Sequence, residues 1–210
     1  MKEFVPLKNL SENDWLKLRE TGIGGSDVGA ILGYDKYKTN VQLWKHKTGI
    51  EKIKFTGNEA TERGKKSEKA IIDLWVAFNK NVEKIIIPEY MYCHDEYEFM
   101  RANFDALAVV DGEECVVEIK TAEPQNFKEW NNKIPQSYYC QVLHYLAVSG
   151  YKKAYLVAAI KLRMSDDIII KTYTIERNEA EINYIIEAEK EFYEMIIARK
   201  EPRLIKKLDI

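Results

Sequence analysis

A chain of 210 residues, 46% apolar and 31% charged, can bury a core around a sheet; its balance excludes a disordered polymer and a membrane-embedded protein. A formal net charge of −2 argues against a protein that coats nucleic acid indiscriminately, because phosphate binding needs a surplus of Lys and Arg. No run approaches the length of a transmembrane helix and Met1–Leu10 carries no signal-peptide pattern, so the expected location is the cytoplasm.

Taken in chain order, Ser11 can cap a first helix ending near Gly22, and Ser26 a second running to Gly33. Val41–Lys47 reads as a third helix, stopped at Gly49. From Glu59 to Phe78 the apolar residues Ala60, Ala70, Ile71, Leu74, Trp75 and Phe78 recur at helical spacing. Strand-like runs follow at Lys84–Ile87, Glu98–Arg101, Phe104–Val110 and Glu114–Thr121. Pro135 can open a helix to Ser149, Ala154–Leu162 and Ile168–Tyr173 read as strands, and Asn178 caps a long amphipathic helix to about Arg199. No repeat or Pro/Gly/Ser-rich linker divides the chain, so one domain over residues 1–210 is expected, of α/β (α+β) class with a central mixed sheet flanked by helices.

Asp111-Gly112 lies between two apolar runs, the strongest short-range hairpin signal. If these two residues are the loop, antiparallel partners lie symmetrically about them, and Asp105 stands opposite Glu118. Opposite partners share a face with Cβ atoms about 4.5–5.5 Å apart, so two carboxylates there call for a cation between them. Alternation puts Lys120 on that face and Ile119 on the other. A four-residue loop keeps the same three side chains together; a three-residue loop breaks the arrangement. These acids could instead be solvent-facing charges, but both strands are apolar on both faces, which is the pattern of buried strands.

Asp105 followed by Glu118-Ile119-Lys120 has the form of the PD-(D/E)XK nuclease signature. Three more segments accompany it: Arg19-Glu20-Thr21-Gly22-Ile23-Gly24-Gly25-Ser26-Asp27, Arg63-Gly64-Lys65-Lys66-Ser67-Glu68, and Tyr138-Tyr139-Cys140-Gln141-Val142-Leu143-His144-Tyr145. In this order, over residues from about 15 to 160, the set resembles the YqaJ-type viral recombinases, the group that includes phage lambda exonuclease. The resemblance implies a restriction-endonuclease-like core and a Mg²⁺-dependent 5′-to-3′ exonuclease acting on double-stranded DNA ends. It also implies a phage or prophage origin, a single-strand annealing protein as partner in recombination, and a homo-oligomeric ring, commonly a trimer.

Carried over residue by residue, the resemblance makes Asp105 and Glu118 metal-binding acids, Lys120 the catalytic lysine and Glu68 the helical acid completing the metal site. The Ile119 carbonyl would be a further ligand. Two Mg²⁺ ions about 3.5–4 Å apart suit such an all-oxygen set, and Mn²⁺ could substitute. Gln141 matches a supporting glutamine, with Tyr145 one turn on. Arg19 and Ser26 match residues that contact the 5′ phosphate, and Gly24 and Gly25 would let the backbone N–H groups reach it. Gly64 would let DNA approach α-helical backbone closely.

Each of these positions has a plainer reading. Gln141 and Tyr145 could belong to a packing face, Glu68 to a solvated face, and Arg19–Ser26 to a tight turn. Lys65, Lys66 and Lys69, and the tail residues Arg199, Lys200, Arg203, Lys206 and Lys207, are candidate phosphate contacts or solvated charges. Cys93, Cys115 and Cys140 form no C-x-x-C pair and read as small core residues. His46, His94 and His144 read as structural or surface residues. Trp15, Trp44, Trp75 and Trp130 read as core, although one could wedge a duplex end. Competing functions are an endonuclease of the same superfamily, disfavoured by the Arg19–Ser26 segment, and an inert DNA-binding protein, disfavoured by the intact acidic set.

Overall fold

Ser11 opens the first helix, accepting the Asp14 N–H at 3.1 Å, and α1 (Glu12–Glu20) ends two residues before Gly22. The computed structural model describes residues 1–51, 59–123, 130, 132–162 and 167–205, with side chains throughout except at residues 59–61 and 65. A strand that the sequence pattern does not announce, β1 (Lys2–Pro6), precedes α1. After α1 come a two-residue strand β2 (Ile23–Gly24) and α2 (Gly25–Ile31).

The cap of α2 is Gly24, not Ser26. Because β2 enters extended, the switch to helix falls at Gly24, whose ψ is 161°, and Ser26 is already inside the helix. The Asp27 carboxylate accepts the Gly24 N–H at 3.2 Å, and the Ser26 hydroxyl accepts instead from Arg19 Nη2 at 2.7 Å.

A reciprocal pair of bonds between Thr39 and Gln42 starts α3 (Asn40–Lys47), and Gly49 ends that region with φ of 72°. The long helix α4 (Glu59–Phe78) has the expected bounds but a different buried stripe. Ile71, Ile72 and Trp75 are buried, whereas Leu74 and Phe78 are exposed.

Then follow β3 (Val82–Ile86), β4 (Tyr90–Cys93), β5 (Met100–Ala102), β6 (Ala106–Val110), β7 (Glu113–Ala122), α5 (Gln136–Ser149), β8 (Lys153–Lys161), β9 (Ile168–Glu176) and α6 (Glu179–Ile197). Asn178 caps α6 as expected, accepting from the Ala180 and Glu181 N–H groups.

The main sheet is mixed, in order β3-β6-β7-β8-β9. Its one parallel pair, β7 with β8, is joined through α5, and the other pairs are antiparallel. A second sheet of order β1-β4-β5-β2 was not anticipated. It takes the expected strand near Arg101 away from the central cluster, and pairs β2 with β5 so that Ile23–Gly24 lies alongside Met100–Arg101.

Alternation along the β6–β7 hairpin divides the core. Leu107, Val116, Leu156 and Ala158 pack with α5, and Ala106, Ala108, Val110, Val117 and Ile119 pack with Ile71, Ile72 and Trp75 of α4. Ten consecutive residues of α5, Cys140–Ser149, are buried, since the helix is enclosed by the sheet, α2 and α6. Such enclosure removes the one-sided pattern that marks a surface helix.

Candidate active site

The β6–β7 hairpin has the two-residue loop that its sequence specifies. Asp111 and Gly112 take φ of 51° and 76°, and pairing runs from Val110–Glu113 to Ala106–Val117. Asp105 lies one step beyond the last of these pairs. Its Oδ2 accepts the Ile119 N–H at 2.7 Å, which anchors the carboxylate at the end of the ladder.

Glu118 is 1% exposed. Its Oε1 accepts from Gln141 Nε2 at 2.7 Å and from Lys120 Nζ at 2.5 Å. Gln141 Nε2 also donates to Tyr145 Oη at 3.0 Å, and the Tyr145 hydroxyl donates to the Asn103 carbonyl at 3.0 Å. This chain fixes the Glu118 carboxylate from the side of α5. The other oxygen, Glu118 Oε2, is buried with no hydrogen-bond partner among the described residues.

Burial, then the nearby Asp105 charge, pushes Glu118 up to about 8. Burial likewise raises Asp105, against the pull of Lys120. Burial and Asp105 push Glu68, half-buried on α4, up to about 7. Burial opposes the charge on Lys120, but Glu118 and Asp105 outweigh it and hold the ammonium above its ordinary value.

The donor set suits a hard divalent cation. Asp105, Glu118 and Glu68 offer carboxylate oxygens, Ile119 a carbonyl, and the buried Glu118 Oε2 has no donor among the described residues. Among the described residues no group of three His, Cys, Asp or Glu stands close enough together to hold a metal ion, and the Lys120 ammonium sits against Glu118.

The Arg19–Ser26 segment reaches this site through glycine. A Cβ on Gly25 would come within 2.7 Å of Tyr145 Cε1 and 3.0 Å of Gln141 Cγ, so its role is close helix packing. Gly22 is as crowded, 2.8 Å from the Phe99 carbonyl, whereas a Cβ on Gly24 would meet only the Arg101 carbonyl, at 3.9 Å. Arg19 lies over the Trp15 ring at 4.6 Å and donates to exposed Ser26. A Cβ on Gly64 would lie 3.2 Å from Thr121 Oγ1, where α4 meets the end of β7.

The other readings sort by burial. Trp44, Trp75 and Trp130 are buried and Trp15 is half-buried. All three cysteines are free and buried. His144 is fully buried between Glu189 and the Arg101 carbonyl. Lys66 and Lys69 are exposed, Lys69 pairing with Asp73 at 2.6 Å. Arg199 donates to the Thr48 carbonyl. The Lys65 side chain and Lys206 and Lys207 lie outside the described residues.

Sequence reasoning missed Asn103, Asp27, Lys38 and Lys47. In the sequence Lys47 is only the last residue of the third helix, and its burial against Asp27 is what distinguishes it. Among the described residues no helix is long and apolar enough to cross a membrane.

Comparison with known proteins gives the fold and the family. Among solved structures, the alkaline exonuclease LHK-Exo from Laribacter hongkongensis matches with a TM-score of 0.71 at 20% identity, covering 90% of this chain and 94% of that one. Its complex with dAMP matches at 0.72 and 19% identity over the same shares. A phage-related exonuclease from Haemophilus somnus 129PT matches at 0.60 and 17% identity, covering 85% of this chain and 96% of that one. These likenesses show the restriction-endonuclease-like fold. The YqaJ protein of Bacillus subtilis (strain 168) is 37% identical over 188 residues, which are 88% of this chain and 56% of that protein. The chain thus spans about half the length of that relative. The model of the YqaJ-like viral recombinase domain matches residues 14–152, and the chain belongs to that family.

Proposed function

We propose that this protein is a divalent-metal-dependent deoxyribonuclease that degrades linear double-stranded DNA from its 5′ ends for recombination. The observation that carries the reading is the buried Glu118 carboxylate, held by Gln141 and Lys120 on one oxygen, with no donor to the other among the described residues and Asp105 beside it. Family membership and the fold shared with exonucleases support it.

Asp105, Glu118, Glu68 and the Ile119 carbonyl would hold Mg²⁺, as one ion or two. Bound ions supply ionisation of the attacking water and stabilisation of the charge that develops on the phosphate. Lys120 Nζ, already against Glu118 Oε1, orients that water and donates to the scissile phosphate. Gln141 keeps the Glu118 carboxylate in place and takes its own orientation from Tyr145. Arg19 and Ser26, whose side chains meet at 2.7 Å, recognise the terminal 5′ phosphate.

The test is incubation of linear and closed circular plasmid with Mg²⁺. The expected result is loss of the linear form alone, with 5′-terminal label released first. Loss of both forms would favour an endonuclease, and loss of neither an inert binding protein. A ring of identical subunits, a trimer first, and an associated single-strand annealing protein belong to the same proposal. Sedimentation showing only monomer at micromolar concentration would remove the ring.

A further inference from the structure

Where α1, α2 and α3 meet, the protein buries a second group of charges that the catalytic hairpin does not use. The Lys47 side chain is 3% exposed, yet its ammonium has three partners. It donates to the carbonyls of Arg19 at 2.6 Å and Gly22 at 2.7 Å, and pairs with Asp27 Oδ2 at 2.7 Å. Asp27 in turn accepts the Gly24 N–H at 3.2 Å and pairs with Lys38 at 3.0 Å. One side chain therefore ties the end of α1, the turn after it and the first turn of α2. Arg19 and Ser26 project from the two ends of that tied segment.

Packing alone does not call for this arrangement. An apolar side chain of similar volume could pack the same helices, but it would leave the Arg19 and Gly22 carbonyls and the Asp27 carboxylate without this donor. Burial lowers the Lys47 pKa and Asp27 opposes the shift. Burial alone would raise Asp27, but Lys47, Lys38 and Arg19 hold it far below the usual carboxylate range. Asp27 is one anion facing three cations. His144 and Glu189, which face it from α5 and α6, are bonded to each other.

We propose that Lys47, acting with Asp27, is a positioning residue for recognition of the DNA end: it holds the Arg19 and Gly22 carbonyls so that the Arg19 guanidinium and the Ser26 hydroxyl converge on a terminal phosphate dianion. The proposal rests on the 5′-phosphate reading given above and adds the residues that shape the pocket without touching the phosphate.

The experiment measures kcat/KM on short duplexes with 5′-phosphate or 5′-hydroxyl ends and reads their ratio. Wild type is expected to favour the phosphate roughly tenfold or more, the scale of one charged hydrogen bond. Lys47→Met should bring the ratio close to that of Arg19→Ala, and should change it less than about twofold when added to Arg19→Ala, since Lys47 works through Arg19. A merely structural lysine would slow both substrates equally, and that result overturns the proposal. Asp27→Asn keeps an acceptor for the Gly24 N–H but loses the charge, so it serves if Lys47→Met does not fold. An undiminished ratio in Asp27→Asn overturns the proposal in that case. No preference in wild type removes the 5′-phosphate reading itself, whereas a wild-type preference kept intact by Lys47→Met removes only the role of Lys47.

Discussion

Gly25 and Tyr145 touch so closely that a single methyl group on the glycine would lie 2.7 Å from the tyrosine ring. That contact joins the helix following the proposed phosphate pocket to the helix that orients the buried glutamate. Gly25→Ala must therefore push α2 from α5 or turn the Tyr145 ring off Gln141. Overpacking of this kind costs about 1–3 kcal/mol, and urea denaturation should show it. Cleavage should fall by more than the loss of folded protein explains, because Gln141 loses its hold on Glu118. Unchanged activity and stability would mean that the contact is not why glycine stands there.

Lys120→Ala should leave duplex binding, measured by gel shift, within a few-fold of wild type. Cleavage should fall by about 10²-fold or more, as for a group acting on the nucleophile. Asp105→Asn should weaken Mg²⁺ binding in calorimetry as well as activity. Cleavage by the lysine variant within a few-fold of wild type would refute its role, and undiminished Mg²⁺ binding by the aspartate variant would refute the metal site.

The pH dependence of the metal-free protein has a definite sign. Glu118 is raised from 4.5 to about 8 and Glu68 from 4.5 to about 7, both chiefly by burial. Between these limits these two groups bind more protons in the folded protein than in the unfolded chain, so their contribution to stability is full below about 4.5 and is lost as pH rises toward 8. Urea melts of the chelated protein from pH 5 to 9 should show the decline. Mg²⁺ should abolish it, because ligation stabilises the ionised carboxylates. A metal-free protein that gains stability over this range would contradict the assignment of both groups.

His144 Nδ1 lies 2.8 Å from Glu189 Oε1 and its Nε2 lies 2.9 Å from the Arg101 carbonyl, all deep between α5 and α6. Burial opposes charge on His144, but Glu189 outweighs it and raises the imidazole pKa. His144→Ala would leave a buried carboxylate without its partner, at a cost of about 3–5 kcal/mol. Replacing both residues with leucine should cost far less. Equal losses from the single and double replacements would show that the pair is not coupled.

The parts of this protein that are legible in its sequence are those set by local rules. Asp111-Gly112 dictates a tight turn, the turn dictates the register, and the register puts Glu118 next to Asp105 without reference to the rest of the chain. Caps at Ser11 and Asn178 and the long pattern from Glu59 to Phe78 mark helices for the same reason. What lies at a distance in sequence was decided by tertiary structure. The second sheet forms because β1, β4, β5 and β2 find one another across the chain, and it is this pairing that moves the N-cap of α2 from Ser26 to Gly24. Nothing near Lys47 or His144 tells that each is buried against a single carboxylate, from Asp27 and Glu189 respectively. A charge reads as solvated until packing removes the water, and only the packed fold shows which charges lost it.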